Sequence, residues 1–413
     1  MIALEAVQAA IMGAVPRLAP TLVDRGDALG LVLAEQVVAP DAVPPFPNTA
    51  MDGYAVRAVD TVGATEESPV CLRVVGELPA GRAPTVAVGV GEAIRIMTGA
   101  PMPDGADAIV MVERTQRMVG DDGADGVLVS LAVDAGQHVR RAGGDLEAGD
   151  VVFEPGVVLT PARLGVLATV DARSVYAYPR ARVGVLSTGD ELVESGPLAP
   201  GKIRDSNRPM LLAMLAEAGA DAVDLGAASD DEASMTSTLA DAIDRCDAVI
   251  TSGGVSVGDF DYVSDALEHL AADDTSGHSS VDWYQVAIKP AKPLCFGMVL
   301  GTPVFGLPGN PVSSFVSFEV FARPALRSMM GHEEPFRREV VASAAEPMPR
   351  RVDGKLHLDR VVVNVVEGRY VATGVRSQES NALAASAGAN GLARLPDGDG
   401  VPAGAAVTVM LLD

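Results

Sequence analysis

From about Ala181 to Met330, short apolar runs alternate with segments of helical period, and this rhythm constrains the fold more than any other feature of the chain. Arg182 to Ser187 reads as a strand, Asn207 to Ala218 as a helix closed by Gly219, and Asp221 to Leu225 as a second strand. Asp231 to Arg245 and Tyr262 to Ala271 read as helices around a strand at Ala248 to Thr251, and a further helix runs from about Val312 to Met330. Strand, helix, strand at this spacing is the signature of right-handed βαβ units on a parallel sheet. Ligands of such sheets sit at the C-terminal ends of the strands, so the loops there are where chemistry is sought.

The flanking regions have other rhythms. Residues 1 to about 44 read as helical, with Leu4, Val7, Ala10, Ile11 and Leu18 on a helix-like period up to the proline-rich stretch Ala39 to Pro47. From Phe46 to about Gly144 come short runs such as Val70 to Val75, Ala93 to Met97, Ala108 to Val112 and Gly126 to Leu131, which imply a compact β domain. Leu159 to Leu167 returns to helical periodicity and can pair with the first segment, leaving the β domain as an insertion. Residues 335 to 413 alternate as strands with glycine turns and show no helix rhythm.

The fold class expected is therefore multidomain α/β and β. It has a central three-layer α/β domain with a mostly parallel sheet, an inserted β domain, an N-terminal helical segment and a C-terminal β domain. The expected boundaries are 1–45 with 145–178 for a helical linker domain, 46–144 for the inserted β domain, 179–331 for the α/β domain and 332–413 for the C-terminal domain. With 413 residues the chain exceeds the size at which one core keeps growing, so several domains are expected.

Formal net charge is −24, which repels nucleic acid and anionic membrane surfaces alike, so neither is expected as a partner. A small anionic substrate must then be held by a local cluster of donors. Cys71, Cys246 and Cys295 are too few and too widely spaced for a disulfide framework or a zinc site. Met1 to Ile11 has no basic residue before an apolar run, and no apolar run is long enough to span a bilayer, so a cytoplasmic protein is expected.

The strand at Val183 to Leu186 runs into Ser187-Thr188-Gly189-Asp190-Glu191, and the strand at Ala248 to Ile250 into Thr251-Ser252-Gly253-Gly254-Val255-Ser256-Val257-Gly258. Glycine lets backbone N–H groups approach an anion closely, and the Ser252 and Ser256 hydroxyls add donors, so the two loops together can cradle a phosphate. Either loop alone reads equally well as a tight turn. Asp190 and Glu191 in the first loop and Asp259 and Asp261 after the second put four carboxylates at one edge of the sheet, the usual setting for Mg²⁺ beside a substrate phosphate. One of the last two reads as a plain helix cap.

Lys289-Pro290-Ala291-Lys292-Pro293 ends the strand Trp283 to Ile288, and its prolines stiffen the backbone that carries Lys292, a point charge suited to an oxyanion. A solvated lysine pair is the bland alternative. The turn Gly306-Leu307-Pro308-Gly309-Asn310-Pro311 leads into a helix whose N-terminus adds positive potential. Asp52 in Ala50 to Ala55 and Thr98 in Met97 to Ala100 read on spacing alone as turn residues.

Taken together, Asn48 to Ala55, Met97 to Ala100, Ser187 to Leu192, Ser252 to Gly258, Lys289 to Pro293 and Pro308 to Pro311 resemble the molybdopterin molybdenumtransferase family, the MoeA proteins and the gephyrin E domain, in the family's order. The resemblance covers essentially the whole chain. It implies an elongated four-domain homodimer with its active site in a cleft between subunits. It also implies the final step of molybdenum cofactor biosynthesis, the Mg²⁺-dependent conversion of adenylyl-molybdopterin and molybdate to molybdenum cofactor and AMP, and contact with molybdopterin adenylyltransferase. The functional positions it implies are Asp52, Thr98, Asp145, Glu191, Asp230, Asp261, Lys289, Lys292, Arg360 and Ser380, the last two completing an oxyanion pocket with Lys292. Substrate contacts are expected from Ser187, Thr188, Gly189, Ser252, Gly253, Gly254, Ser256, Gly258, Pro293, Pro308, Gly309 and Asn310, and metal contacts from Asp190, Glu191, Asp259 and Asp261. Ala291 replaces the family's usual Gly between the lysines, Gln285 stands where some members carry Lys, and Ala142 replaces an Arg seen in some. The alternatives are a molybdopterin adenylyltransferase, which resembles residues 178 to 330 alone, and a scaffold that binds receptor tails as the gephyrin E domain does.

Overall fold

A computed structural model describes residues 1–120, 123–228, 232–254, 262–272, 274 and 277–412. The chain divides into two compact units, one of residues 1–22, 30–34 and 176–413, the other of residues 23–29 and 35–175. In the first unit a six-stranded sheet has the order Asp221–Ala228, Arg182–Thr188, Ala248–Ser252, Thr302–Leu307, Pro293–Val299, Ser280–Gln285. The first four strands are parallel, and Pro293–Val299 runs antiparallel to both neighbours. The sheet is mostly parallel, as the alternating pattern implies.

Both faces of this sheet are covered, which is why its strands read as nearly continuous apolar runs. Val183, Val185, Ile250 and Phe305 pack with Leu211, Leu215 and Val316 on one side. Leu186, Val249 and Val304 pack with Met235, Leu239, Val263 and Leu267 on the other. The helix Asn207–Ala218 ends at Gly219, whose left-handed φ of 89° lets the chain leave the helix without a Cβ clash. The helix read from Val312 to Met330 runs as Pro311–Ser317, a π turn at Phe318–Ala322, and Arg323–Met329. Pro324 has no N–H to give back to Val320 O, and Gln8 Nε2 donates to that carbonyl at 2.9 Å instead.

The first helix is shorter than its sequence suggests. It spans Leu4–Ala14 and stops at extended Val15, because Pro16 disfavours a helical residue before it. Residues beyond it form short strands, Thr21–Asp24, Val32–Leu33, Val37–Val38 and Asn48–Thr49. The helix Pro161–Thr169 is part of the second unit. Leu4, Val7 and Ile11 form one apolar stripe, and it packs into the core that holds Phe318, Leu326 and Met329.

The strand expected at Trp283 to Ile288 breaks in two. Val286 N–H bonds to Lys292 O at 2.8 Å, and Ile288–Lys289 leaves the central sheet to pair with Leu356–Val366. The C-terminal strands Leu356–Val366, Arg369–Gly374, Glu339–Ala344, Ala406–Leu411 and Gly391–Leu395 close on themselves, since the first also pairs with the last. A single helical turn, Leu383–Ser386, sits in this segment, too short to leave a periodic signal in the sequence.

In the second unit a six-stranded sheet has the order Ala108–Met111, Gly53–Val56, Glu92–Ile96, Val70–Leu78, Asp125–Val129, Thr115–Val119. Its strands are antiparallel apart from the parallel pair Val70–Leu78 and Glu92–Ile96. Among the described residues no helix is long and apolar enough to cross a membrane.

Candidate functional site

The strands Arg182–Thr188 and Ala248–Ser252 end side by side, with Ser187 opposite Ser252. Thr188 Oγ1 donates to Ser252 O at 3.3 Å, and Gly253 N–H donates to Leu307 O at 3.0 Å, so three strand ends are tied together. Gly253 has φ +98°, and a Cβ there would lie 2.7 Å from Thr188 Oγ1 and 3.0 Å from Thr188 O. Close packing between the two loops therefore requires this glycine before any ligand does. At Gly189, φ +133°, a Cβ would meet the Glu191 carboxylate, which folds back over the loop. Lys202 Nζ donates to Asp190 O.

Asn207, which the sequence reading does not single out, opens the helix beside these loops. Its Nδ2 donates to Ser252 Oγ at 2.7 Å and to Gly309 O at 2.8 Å. The surrounding Asp205-Ser206-Asn207-Arg208-Pro209 is a helix-start signal, and nothing in it tells that Asn207 reaches Ser252 and Gly309. Pro308 is buried, while Gly309 and Asn310 are exposed, and Asn310 precedes the helix Pro311–Ser317 without a side-chain cap bond.

A second set of donors lies where Ile288–Lys289 meets the C-terminal strands, with Lys289 in register with His357. A cavity of about 630 Å³ there is lined by Lys289, Arg350, Arg351, Asp359, Arg360 and Gln378, among others. Arg360 is fully buried. Its Nε and Nη2 make long bonds to Ser386 Oγ, 3.4 Å, and Glu379 O, 3.3 Å, and its Nη1 has no partner among the described residues. Burial pushes its pKa below the ordinary arginine value, against the pull of Asp359 and Glu379. Burial pushes the Asp359 carboxyl up, opposed by His357, Arg360 and Lys289. A buried guanidinium with unengaged N–H groups suits an oxyanion, because an anion would restore what burial costs it.

Lys289, rather than Lys292 or Ser380, lines the cavity with Arg360. The cause is the break at Val286, which sends Lys289 into the C-terminal sheet, while Lys292 is exposed and its carbonyl is tied back to Val286. Ser380 O accepts Val312 N–H at 3.1 Å, so this residue packs on the start of the helix Pro311–Ser317. Pro293 begins the strand Pro293–Val299, which lies between Thr302–Leu307 and Ser280–Gln285. Ala291 holds a left-handed φ of 73°.

In the other unit, Asp52 and Thr98 meet. Thr98 N–H and Thr98 Oγ1 both donate to Asp52 Oδ1 at 2.7 Å. The Thr98 hydroxyl bond first, then its backbone N–H and the Arg95 charge, hold the Asp52 carboxyl below the usual carboxylate range. Asp145 is exposed on a turn, with its N–H bonded to Val43 O at 2.9 Å. Asp230, Ser256, Gly258, Asp259 and Asp261 lie outside the described residues. Among the described residues no group of three or more His, Cys, Asp or Glu is placed to hold a metal ion.

Fold and donors together define a class, a multidomain α/β protein whose sites suit phosphate and small oxyanion ligands. Residues 2–170 match the family model described as "MoeA N-terminal region (domain I and II)", residues 184–328 the "Probable molybdopterin binding domain", and residues 349–412 the "MoeA C-terminal region (domain IV)". Molybdopterin molybdenumtransferase 2 of Mycobacterium tuberculosis is 44% identical over 381 residues, 92% of this chain and 91% of the relative. Molybdopterin molybdenumtransferase of Bacillus subtilis is 36% identical over 390 residues, 94% of this chain and 88% of the relative. The crystal structure of a molybdopterin biosynthesis MoeA protein from Pyrococcus horikoshii OT3 aligns with a TM-score of 0.80 at 28% identity, covering 100% of each chain. The chain belongs to the molybdopterin molybdenumtransferase family, enzymes of molybdenum cofactor biosynthesis.

Proposed function

We propose that the chain carries out the final step of molybdenum cofactor biosynthesis, inserting molybdate into the dithiolene of adenylyl-molybdopterin in a Mg²⁺-dependent reaction that releases AMP. The observation that carries this reading is Arg360, a buried cation with an unengaged Nη1 in a cavity shared with Lys289. Molybdate is a tetrahedral oxyanion, and charge-assisted bonds to such groups are the strong ones. In this reading Lys289, Lys292, Arg360 and Ser380 bind molybdate. Ser187, Thr188, Ser252 and the glycine-rich backbone hold the pterin and its phosphate. Asp52, bonded twice by Thr98, serves as a charged catalytic group, as do Asp145 and Glu191.

Asp190 and Glu191 are hard oxygen donors next to the phosphate loop, which fits Mg²⁺ held by one or two carboxylates plus substrate phosphate. With Asp259 and Asp261 they would hold the ion, which when bound supplies charge neutralisation at the phosphate. The functional unit in this reading is a cytoplasmic homodimer of four-domain subunits, with the boundaries expected from sequence and the active site in a cleft between subunits. Its substrate arrives from molybdopterin adenylyltransferase.

The test is to mix the pure protein with adenylyl-molybdopterin, Mg²⁺ and molybdate and to measure AMP and active cofactor. Molybdate-dependent AMP release is expected. Intact adenylyl-molybdopterin at the end of the incubation would overturn the reading, and its synthesis from molybdopterin and ATP would point to an adenylyltransferase instead.

A further inference from the structure

We propose that Asn207 is a positioning residue, which ties Ser252, at the end of the strand Ala248–Ser252, to Gly309 and thereby sets affinity for molybdopterin without acting on molybdate. The inference rests on the reading that the loops at Ser252 and Gly309 bind the pterin ligand.

The two loops leave different strands, Ala248–Ser252 and Thr302–Leu307, and Gly309 lies against Gly253, where a Cβ on Gly309 would be 3.9 Å from Gly253 Cα. Asn207 Nδ2 places one N–H on Ser252 Oγ, at the strand end, at 2.7 Å and the other on Gly309 O, in the turn, at 2.8 Å. Gly309 O can only accept, so the orientation of the amide is not in doubt. Asn207 is 7% exposed, and its Oδ1 has no partner among the described residues. The amide is therefore oriented for Ser252 and Gly309 rather than for its own complete satisfaction.

Its base is rigid. The neighbouring Arg208 bonds through N–H and Nε to Asp205 at 3.1 and 3.2 Å and through Nη1 to Asp224 at 2.6 Å. Leu211 and Leu215, farther along the same helix, are buried in the main core. Two N–H donors on one short stem are a property of the Asn side chain. Asp of the same shape can accept from Ser252 but cannot donate to Gly309 O, and Leu can do neither.

The experiment uses full-length Asn207→Asp and Asn207→Leu, with molybdopterin itself as the binding probe and molybdate half-saturation of AMP release as the second readout. Molybdopterin binding should weaken by about ten- to a hundredfold, more in Asn207→Leu than in Asn207→Asp, because hydrogen bonds that hold the loops are lost. Molybdate half-saturation and turnover at saturating substrate should stay within about threefold of wild type. A merely structural role would lower thermal stability and leave the affinity of the folded fraction unchanged, and that result would overturn the proposal. So would parallel loss of both ligands, or failure of both variants to fold. If wild-type protein does not bind molybdopterin, the functional reading fails. If wild type binds it and folded variants bind it equally well, only the role of Asn207 fails.

Discussion

Thr98 donates two hydrogen bonds, one from its backbone N–H and one from its hydroxyl, to the same carboxylate oxygen of Asp52. Bonds to the charged form favour it, which is why the Asp52 carboxyl titrates below the usual range. Thr98→Val removes the hydroxyl and keeps the N–H. The Asp52 pKa should then rise part of the way towards an ordinary aspartate, measured by carbon NMR of the carboxyl. At pH 7 Asp52 stays ionised in both proteins, so loss of turnover, about ten- to a hundredfold, would come from lost orientation rather than from protonation. An unmoved Asp52 pKa would show that the hydroxyl bond is not formed in solution.

Ala291 sits at φ 73° and is 3% exposed. A Cβ in the left-handed region costs roughly 1–2 kcal/mol, while Gly costs about 0.5–1 kcal/mol in chain entropy and loses a buried methyl worth about 0.8 kcal/mol. The terms nearly cancel, so Ala291→Gly should change stability by less than about 1 kcal/mol. Ala291→Val should destabilise by about 2 kcal/mol or more, because a β-branched residue is a genuine outlier at this φ. Urea denaturation of the two variants decides it, and equal midpoints would contradict the backbone conformation.

Arg360 carries a charge that burial penalises and few bonds offset. Replacing an under-compensated buried charge by an apolar group of similar volume is often neutral or stabilising by about 1–4 kcal/mol. Arg360→Met should therefore melt no lower than wild type while its molybdate half-saturation rises by about ten- to a hundredfold. Lys289→Ala should resemble it in molybdate dependence, and Lys292→Ala should have the smaller effect because Lys292 does not line the cavity. A larger effect at Lys292 would restore the pairing suggested by sequence.

His332 packs against Arg327 and Arg323, and burial first, then those two charges, push its pKa from 6.5 down to about 4. Its Nδ1 faces Arg327 Nη2 at 3.1 Å and accepts from it, as a neutral ring can. With the folded pKa below the unfolded one, stability is fully present above about pH 6.5 and is lost as pH falls towards 4. The loss is at most about 3 kcal/mol. His332→Gln, which keeps an acceptor and cannot titrate, should flatten the difference in urea midpoint between pH 7 and pH 5. An unchanged pH dependence would mean that other groups control it.

The βαβ units are legible because each rests on local signals, such as an apolar run for a strand buried on both faces or Gly219 at the end of a helix. The first helix is overread because Leu18 falls on the helical period although Pro16 has already broken the backbone. The single turn Leu383–Ser386 is missed because four residues cannot display a period of 3.6.

By itself, the sequence determines the α/β class, the strand ends that carry Ser187 and Ser252, and the family. These depend on short-range order, in which a residue and the neighbours that decide its role lie within one turn or loop. Only the tertiary structure decides that Thr98 meets Asp52 across 46 positions, that Asn207 reaches Ser252 across 45 and Gly309 across 102, and that Lys289 shares a cavity with Arg360. Hydrogen-bond partners and burial at such separations are set by how strands pair and cores close, and no local pattern in the chain encodes them.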